Sequence, residues 1–335
     1  MDKYLLTIAI PAYNRPLFLE NSLRRILKNY PLSNHVQILV SDDSNKNNQN
    51  INKKNIAQLN HTFNSAIEYF INPSPGYRNN WLNCFKKSKG KFLLVLGDDD
   101  LLINNAVEKI IQCIKENKNV GLISYDACSY RHLDFDHDDM ITDIKIKVYN
   151  SMHGFFDRCG PRITHISSIL LNKNLADKGI KKNVAHPSII QMEYIFSAAL
   201  HSKNYAYIKH DLVASYSEMN AWGCEGLRLF SYDLGIIMDN YIIDNPKLIS
   251  VVEKSFILRF YPIDIYRARK NYENDSSYQK NIKLLAQRYQ NNKCFKFFLA
   301  YQIKAPRFMI SLATPMFFLI GKLLGGDLRS ILVII

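Results

Sequence analysis

Three consecutive carboxylates, Asp98-Asp99-Asp100, follow the apolar run Phe92-Leu93-Leu94-Val95-Leu96 and a single glycine, Gly97. Adjacent acids repel one another, so a run of them at the mouth of a buried strand calls for positive charge. A divalent cation bridging phosphate oxygens meets that need, because hard ions such as Mg²⁺ and Mn²⁺ favour carboxylate ligands. The plain alternative is a solvated acidic turn, where Asp is common. Two upstream groups argue for chemistry. Tyr13-Asn14-Arg15 closes an apolar run over residues 5–10, and Asp42-Asp43 closes another over 36–40.

The elements that must hold these groups are legible as an alternation. Residues 5–10 read as a first strand rather than a signal peptide, because they lead straight into Pro11. Residues 17–27 carry helical apolar spacing through Leu19, Leu23, Ile26 and Leu27. A second strand over 36–40 is followed by a polar Asn/Lys segment through Asn55, which reads as a loop. A weaker strand over 66–71, a helix over 79–87, the strand before the acids, a helix over 106–116 and a strand over 120–125 complete the series. Strand and helix alternating at this spacing predict βαβ units and a mostly parallel sheet. Ligands of such sheets bind beyond the carboxyl ends of the strands, where all three polar groups fall. Neither a GxGxxG fingerprint nor a GxxxxGKS phosphate loop is present, which disfavours the usual dinucleotide and P-loop readings.

The ordered motifs Ile10-Pro11-Ala12-Tyr13-Asn14-Arg15, Leu39-Val40-Ser41-Asp42-Asp43-Ser44, Asn72 and Gly76 with Asn80-Trp81, and Gly97-Asp98-Asp99-Asp100-Leu101 resemble family 2 glycosyltransferases of the GT-A fold. Residues 164–170 and Ala185-His186-Pro187 are similar to a subgroup that includes abequosyltransferase and builds bacterial O-antigen. The resemblance implies an α/β, Rossmann-like GT-A domain with a mostly parallel sheet flanked by helices. It implies a nucleotide-diphospho-sugar donor lined by Pro11, Ala12, Tyr13, Arg15, Asp42, Arg78 and Asp98. Tyr13 would meet the base, Arg15 the phosphates, and Asp42 the base edge; the alternative, a helix cap or Asx turn, fits Asp43 and Ser44 better than Asp42. A planar ring suits a base and a guanidinium suits phosphate. Gly97 stands where the family usually has Asp, so Asp99 is the expected metal ligand, with Asp98 or Asp100 assisting and Mg²⁺ or Mn²⁺ as cofactor. The metal's task would be to neutralise the departing nucleoside diphosphate.

Inverting members place a Glu-Asp pair at a helix start after the acceptor region; residues 186–193 occupy that place here without the pair. Glu193 lies at helical spacing from Ile189, Phe196 and Leu200. A carboxylate within an apolar stripe is costly unless paired or functional, so Glu193 is the expected catalytic base, against a structural ion pair. Asp126, placed just beyond a predicted strand, is the reserve. His165 and His186 could touch acceptor or phosphate, although a lone histidine is more often structural. The run His132-Leu133-Asp134-Phe135-Asp136-His137-Asp138-Asp139 has metal-ligand types at no known spacing and reads as a solvated loop.

Composition bounds the rest. The 335 residues, 47% hydrophobic and 12% aromatic, suffice for a large core and an appendage, and the net charge of +13 implies an anionic partner. Six cysteines without C-x-x-C spacing read as reduced thiols. The expected division is a nucleotide-sugar and acceptor domain over 1–226 and a helical, membrane-associated region over 227–335. Helical patterns cover 229–241, 248–266 and 278–289, and an apolar stretch covers 297–320. The charge-free run 308–320 is shorter than the ~20 residues a spanning helix needs. A helix pair lying in the interface fits, with Lys293, Lys296, Lys304 and Arg307 each adding about 1 kcal/mol toward an anionic leaflet. A buried helical pair is the alternative. The expected partners are therefore a nucleotide-sugar donor, a polyprenyl-diphosphate-linked saccharide and the cytoplasmic membrane surface, with no nucleic acid. The expected activity is transfer of a sugar to that saccharide in O-antigen or capsule synthesis, peripheral on the inner face of the cell membrane. The rivals are an inactive GT-A scaffold, a nucleotidyltransferase, which would show a Gly-rich basic loop after the first strand, and a basic nucleic-acid-binding protein.

Overall fold

The computed structural model describes residues 4–30, 35–132, 141, 143–181, 188–217 and 223–324. His186, Pro187 and most of the 132–139 run lie outside them. The described residues form two compact units: 1–152 with 163–183 and 193–219, and 153–162 with 184–192 and 220–335.

The first unit is built on a nine-stranded sheet. Its strands are β1 (Tyr4–Ala12), β2 (Val36–Asp42), β3 (Glu68–Ile71), β4 (Gly90–Val95), β5 (Asp100–Leu102), β6 (Val120–Tyr130), β7 (Ile146–Tyr149), β8 (Ile169–Asn172) and β9 (Asn204–Tyr216). They lie in the order β3-β2-β1-β4-β8-β6-β9-β5, with β7 against β9. β3, β2, β1 and β4 are mutually parallel, as are β6 and β9. β8 enters antiparallel between β4 and β6. Helices α1 (Pro16–Asn29), α2 (Lys46–Thr62), α3 (Tyr77–Lys87) and α4 (Ala106–Glu116) follow strands in turn. Leu6, Ile8 and Ile10 alternate with Thr7 and Ala9 along β1, and all five are buried, as a parallel strand covered on both faces requires. Leu19, Leu23 and Ile26 of α1 and Ile110 and Ile114 of α4 pack in the same core.

Two expectations change. The polar segment after β2 is helix α2, not a loop. Asn45 caps it by accepting from the Asn48 N–H, and Ile56 and Leu59 are buried. The buried Asn52 amide donates to Asp42 Oδ2 at 2.8 Å. A helix held by two apolar residues and a buried amide has too little apolar periodicity to read from sequence. The strand expected to end at Tyr125 runs to Tyr130, through register shifts on either side of Asp126. Asp126 therefore sits inside β6 rather than beyond its end.

The second unit is helical. After α5 (Met152–Cys159), and apart from α6 (Lys173–Lys178) and α7 (Gln191–Leu200), the chain continues as α8 (Glu225–Arg228), a π turn at Leu229–Asp233, α9 (Leu234–Tyr241), α10 (Pro246–Arg259), α11 (Tyr261–Tyr272), α12 (Ser276–Tyr289), α13 (Lys293–Phe298), α14 (Ala300–Lys304) and α15 (Arg307–Leu324). The single helix expected over 248–266 is two, because Pro262 cannot continue a helix but suits the first turn of the next. Phe230, Phe256, Phe260 and Tyr261 interlock with ring centroids 5.1–6.0 Å apart. Among the described residues no helix is long and apolar enough to cross a membrane.

Asp264 on α11 has a buried Oδ2 without a hydrogen-bond partner. Burial pushes its carboxyl from 3.8 up to about 7, against the pull of Arg267. An acid whose folded pKa is raised favours the folded state while protonated, so stability falls as pH rises from about 4 through about 7. At roughly 1.4 kcal/mol per unit, the loss by pH 8 is on the order of 4 kcal/mol. Chemical denaturation of Asp264→Asn and of the parent protein is expected to converge near pH 4 and diverge in the variant's favour toward pH 8. Parallel curves would show that this carboxyl titrates as it does in water.

Candidate functional site

β1, β2 and β4 end side by side, and their polar termini are stitched together. The Tyr13 N–H donates to Asp98 Oδ2 at 2.9 Å. Asn14, left-handed at φ 54°, donates its N–H to Ser44 Oγ at 2.8 Å and accepts from the Asn45 N–H at 2.9 Å. Asn tolerates that conformation because its short side chain bonds locally. Arg15 stands immediately before α1, where Pro16 opens the helix. Its guanidinium meets Asp98 Oδ1 at 2.6 Å and also bonds Asp99 Oδ2. The convergence of Tyr13, Arg15, Asp98 and Asp99 is thus direct. Pro11 and Ala12 belong to β1 itself, opposite Ser41 and Asp42. Ala12 contributes its carbonyl, which accepts from the Asp43 N–H at 3.0 Å and from Asn80 Nδ2 at 3.2 Å.

The three acids differ in environment. Asp98 is buried, and burial pushes its carboxyl up to about 7 despite the adjacent Arg15. Asp99 is raised by burial and by the charge of Asp100, with Arg15 pulling the other way. Burial also acts to raise Asp100, but His165 and hydrogen bonds from Ser167 and Ser215 outweigh it and hold Asp100 low. His165 Nε2 is 3.4 Å from Asp100 Oδ2 and 3.1 Å from Ser215 Oγ. Ser167 accepts the Gly97 N–H at 2.8 Å and donates to Asp100. Tyr130 donates to the Asp99 carbonyl at 2.6 Å. Gly97 has a steric reason: a Cβ there would stand 2.9 Å from Asp100 Oδ2 and 3.2 Å from Asp99 Oδ1.

Tyr13 is 59% exposed, which excludes a packed core aromatic. Asp42, by contrast, is fully buried. Its oxygens accept from the Ser44 N–H, Asn52 and Tyr69 at 2.7–2.8 Å. The turn role expected to fit Asp43 and Ser44 better falls to Asp42 instead, through the Ser44 N–H, and the half-buried carboxylate at this strand end belongs to Asp43. Asp43 accepts from the Gly76 N–H at 2.8 Å and Asn72 Nδ2 at 3.1 Å. Gly76 sits at φ 105°, where a side chain is strained, so the 72–76 turn needs glycine. Arg78 on α3 lies 3.6 Å from Glu193 on α7, whose side chain is almost fully buried. Trp81, stacked on Phe85 and tilted against Tyr194 at 4.7 Å, is scaffold between those helices. Asp126 accepts from the Tyr207 hydroxyl at 2.5 Å within the sheet.

Sequence reasoning named Asp43 and the 164–170 stretch without giving Asp43 or Ser167 a role, and it passed over Ser215 and Tyr130. Asp43 had a signal as the second acid of its pair. The others come from strands and turns whose neighbours only the fold decides.

The donor set suits a hard cation. Among the described residues no group of three or more His, Cys, Asp or Glu side chains is disposed to cage a metal. Mg²⁺-type ions are commonly held by one or two carboxylates with phosphate oxygens completing the shell. Asp99, the most exposed of the three acids, with Asp100 beside it, fits that mode.

Residues 7–178 match the family model described as glycosyl transferase family 2. Over 113 residues the chain is 29% identical to the GalNAc(5)-diNAcBac-PP-undecaprenol beta-1,3-glucosyltransferase of Campylobacter jejuni, covering 33% of this chain and 35% of that protein. The chain spans well under half the length of the curated relatives it matches. It superposes on S. aureus TarS residues 1–349 in complex with UDP-GlcNAc with a TM-score of 0.59 at 10% identity, covering 97% of this chain and 93% of that one. For the mannosyltransferase of Pyrobaculum calidifontis in complex with GDP-Man and Mn²⁺ the TM-score is 0.53 at 12% identity, covering 96% and 86%. At these identities the likeness is one of fold.

Removing Arg15 leaves two adjacent carboxylates without their cation. Because Arg15 is partly exposed, Arg15→Ala is expected to cost about 1–3 kcal/mol, below the ~3–5 kcal/mol of a fully buried pair. Arg15→Lys should recover only part, since an ammonium lacks the planar fork that bridges both acids. Urea denaturation at neutral pH measures both, and an Arg15→Ala midpoint equal to the parent's would refute the bridging role.

Proposed function

Because the chain belongs to glycosyl transferase family 2, and so is a glycosyltransferase, we propose that it moves a sugar from a nucleoside-diphosphate donor to a hydroxyl of a polyprenyl-diphosphate-linked saccharide. The proposed setting is synthesis of a surface polysaccharide of O-antigen or capsule type, peripheral on the cytoplasmic face of the membrane. The observation that carries the donor half is the joined cluster of Tyr13, Arg15, Asp98 and Asp99, an exposed aromatic ring beside a guanidinium and carboxylates. The UDP-GlcNAc and GDP-Man complexes of the two structural neighbours support it. The lipid-linked half is supported by the name of the Campylobacter jejuni relative.

In this reading Tyr13 lies against the base, and Asp43 takes the base edge while Asp42 fixes the turn behind it. Arg15 would meet the diphosphate, and Arg78, 3.6 Å from Glu193, would stand second to it. Asp99 and Asp100 would hold Mg²⁺ or Mn²⁺, which would supply positive charge to offset that of the departing nucleoside diphosphate. Asp98 anchors the Tyr13 amide and Arg15. Glu193 takes the proton of the attacking acceptor hydroxyl as that oxygen bonds the anomeric carbon and the donor's glycosyl–phosphate bond breaks. Asp126, engaged by Tyr207 inside β6, stands second to it.

A thermal-shift screen of UDP, GDP, CDP and dTDP, with and without Mn²⁺, tests the donor half, since binding to the folded state raises its stability. One nucleotide is expected to stand out. Tyr13→Ala should weaken it by about tenfold while leaving the unliganded protein within ~0.5 kcal/mol of the parent. Glu193→Gln should keep nucleotide binding and lose a factor of about 10²–10⁴ in transfer to a polyprenyl-diphosphate-linked saccharide. Near-normal turnover in a folded Glu193→Gln protein would remove that base, and no response to any nucleotide would remove the donor reading.

A further inference from the structure

Helix α15 has two faces of different fate. Ile310 and Thr314, one turn apart, are buried. Thr314 Oγ1 accepts from Gln302 Nε2 at 3.1 Å, and the helix lies against α10 and α11. On the other side Phe308, Met309, Leu312, Met316 and Leu319 are exposed, Leu312 by 78%. Stepped at 100° per residue, the five fall within roughly 100° of arc, on one stripe. Phe297 of α13 is also exposed, by 73%. A soluble surface does not keep such a row of large apolar side chains in water without cause.

The charge pattern names the cover. From Lys293 to Leu324 the chain carries Lys293, Lys296, Lys304, Arg307 and Lys322 and no Asp or Glu. Lys293, Lys296 and Lys304 are exposed on α13 and α14. Ile310 and Ser311 border a cavity of about 170 Å³ that Tyr266, Arg269 and Lys270 complete, which adds cationic side chains beside the same helix. Arg269 there is tied to Glu273 and to the carbonyls of Gln302 and Ala305. An apolar stripe in a segment that carries cations and no acid of its own complements a surface with an anionic skin and an apolar interior. A protein partner would need an acidic rim around an apolar groove, and a second copy of this face would bring cations against cations.

We propose that the exposed stripe of α15, with the lysines of α13 and α14, seats this protein on an anionic lipid bilayer. This deepens the membrane-face reading above and rests on it only for biological setting, since the surface is built wholly within the helical unit. The helix lies in the interface rather than across it.

The test uses the full chain and sedimentation with vesicles of phosphatidylcholine, alone or with roughly one-third phosphatidylglycerol. The parent protein is expected to bind the mixed vesicles at least tenfold better than the neutral ones, and several-fold less well when salt rises from about 0.05 M to about 0.5 M. Leu312→Glu with Met316→Glu should lose at least tenfold in binding. Lys296→Glu with Lys304→Glu should lose about fivefold and most of the salt dependence. Circular dichroism and the nucleotide thermal shift should stay as in the parent for both. The nucleotide readout reports the donor site alone, so loss of vesicle binding and failure of the sugar-transfer reading are separable. The proposal is overturned if the parent ignores anionic vesicles, or if both double variants bind as the parent does. It is also overturned if the apolar variant instead changes the protein's oligomeric size, making a second copy the cover, or if deletion of residues 325–335 alone abolishes binding.

Discussion

Three neighbouring carboxylates cannot be gathered at a strand end without a counter-charge, and Arg15 supplies it. Its guanidinium reaches two of them at once, which fixes the start of α1 against the end of β4. The Tyr13 amide on Asp98, the Tyr130 hydroxyl on the Asp99 carbonyl, and Ser167 with His165 on Asp100 extend the same constraint to β1, β6 and the turn before β8. Each acid is thereby placed in a different environment. One carboxyl is driven toward neutrality by burial and one is held low by its donors. Chemical differentiation of three identical residues follows from where the chain buries them.

A second polar network sits one strand away and is structural. Asp42 is sealed beneath Asn52, Tyr69 and the Ser44 amide, and that buried bonding is what recruits a helix with few apolar residues to the sheet. Buried carboxylates need such donors, because an unsatisfied one costs far more than a made bond returns. Asp43 then braces the 72–76 turn through Gly76 and Asn72. Neighbouring aspartates thus divide labour: one holds the scaffold and the other stays at the surface of the cleft.

The helical unit solves a different problem. Its aromatic interior around Phe256 and Tyr261 is saturated, yet α15 buries only one side. The exposed side is apolar where a solvated helix would be charged, and Lys293, Lys296 and Lys304 are exposed on the two helices before it in the chain.

Much of the site was legible from residue types alone. The apolar runs of β1, β2 and β4, the acids behind them, Tyr13 and Arg15 follow from period, punctuation and charge, which are local properties. The helix at Ala106–Glu116 follows from an apolar period with no competing breaker. What sequence could not supply was partnership across the fold. Helix α2 rests on a contact between Asn52 and Asp42, and the burial of Asp42 rests on α2 in return, so neither shows in its own stretch. Ser215 reaches the acids only because β9 pairs with β5, a register no local pattern encodes. The chain by itself determined which groups stand at the strand ends. The tertiary structure decided which of them face solvent, because burial depends on neighbours far away in sequence.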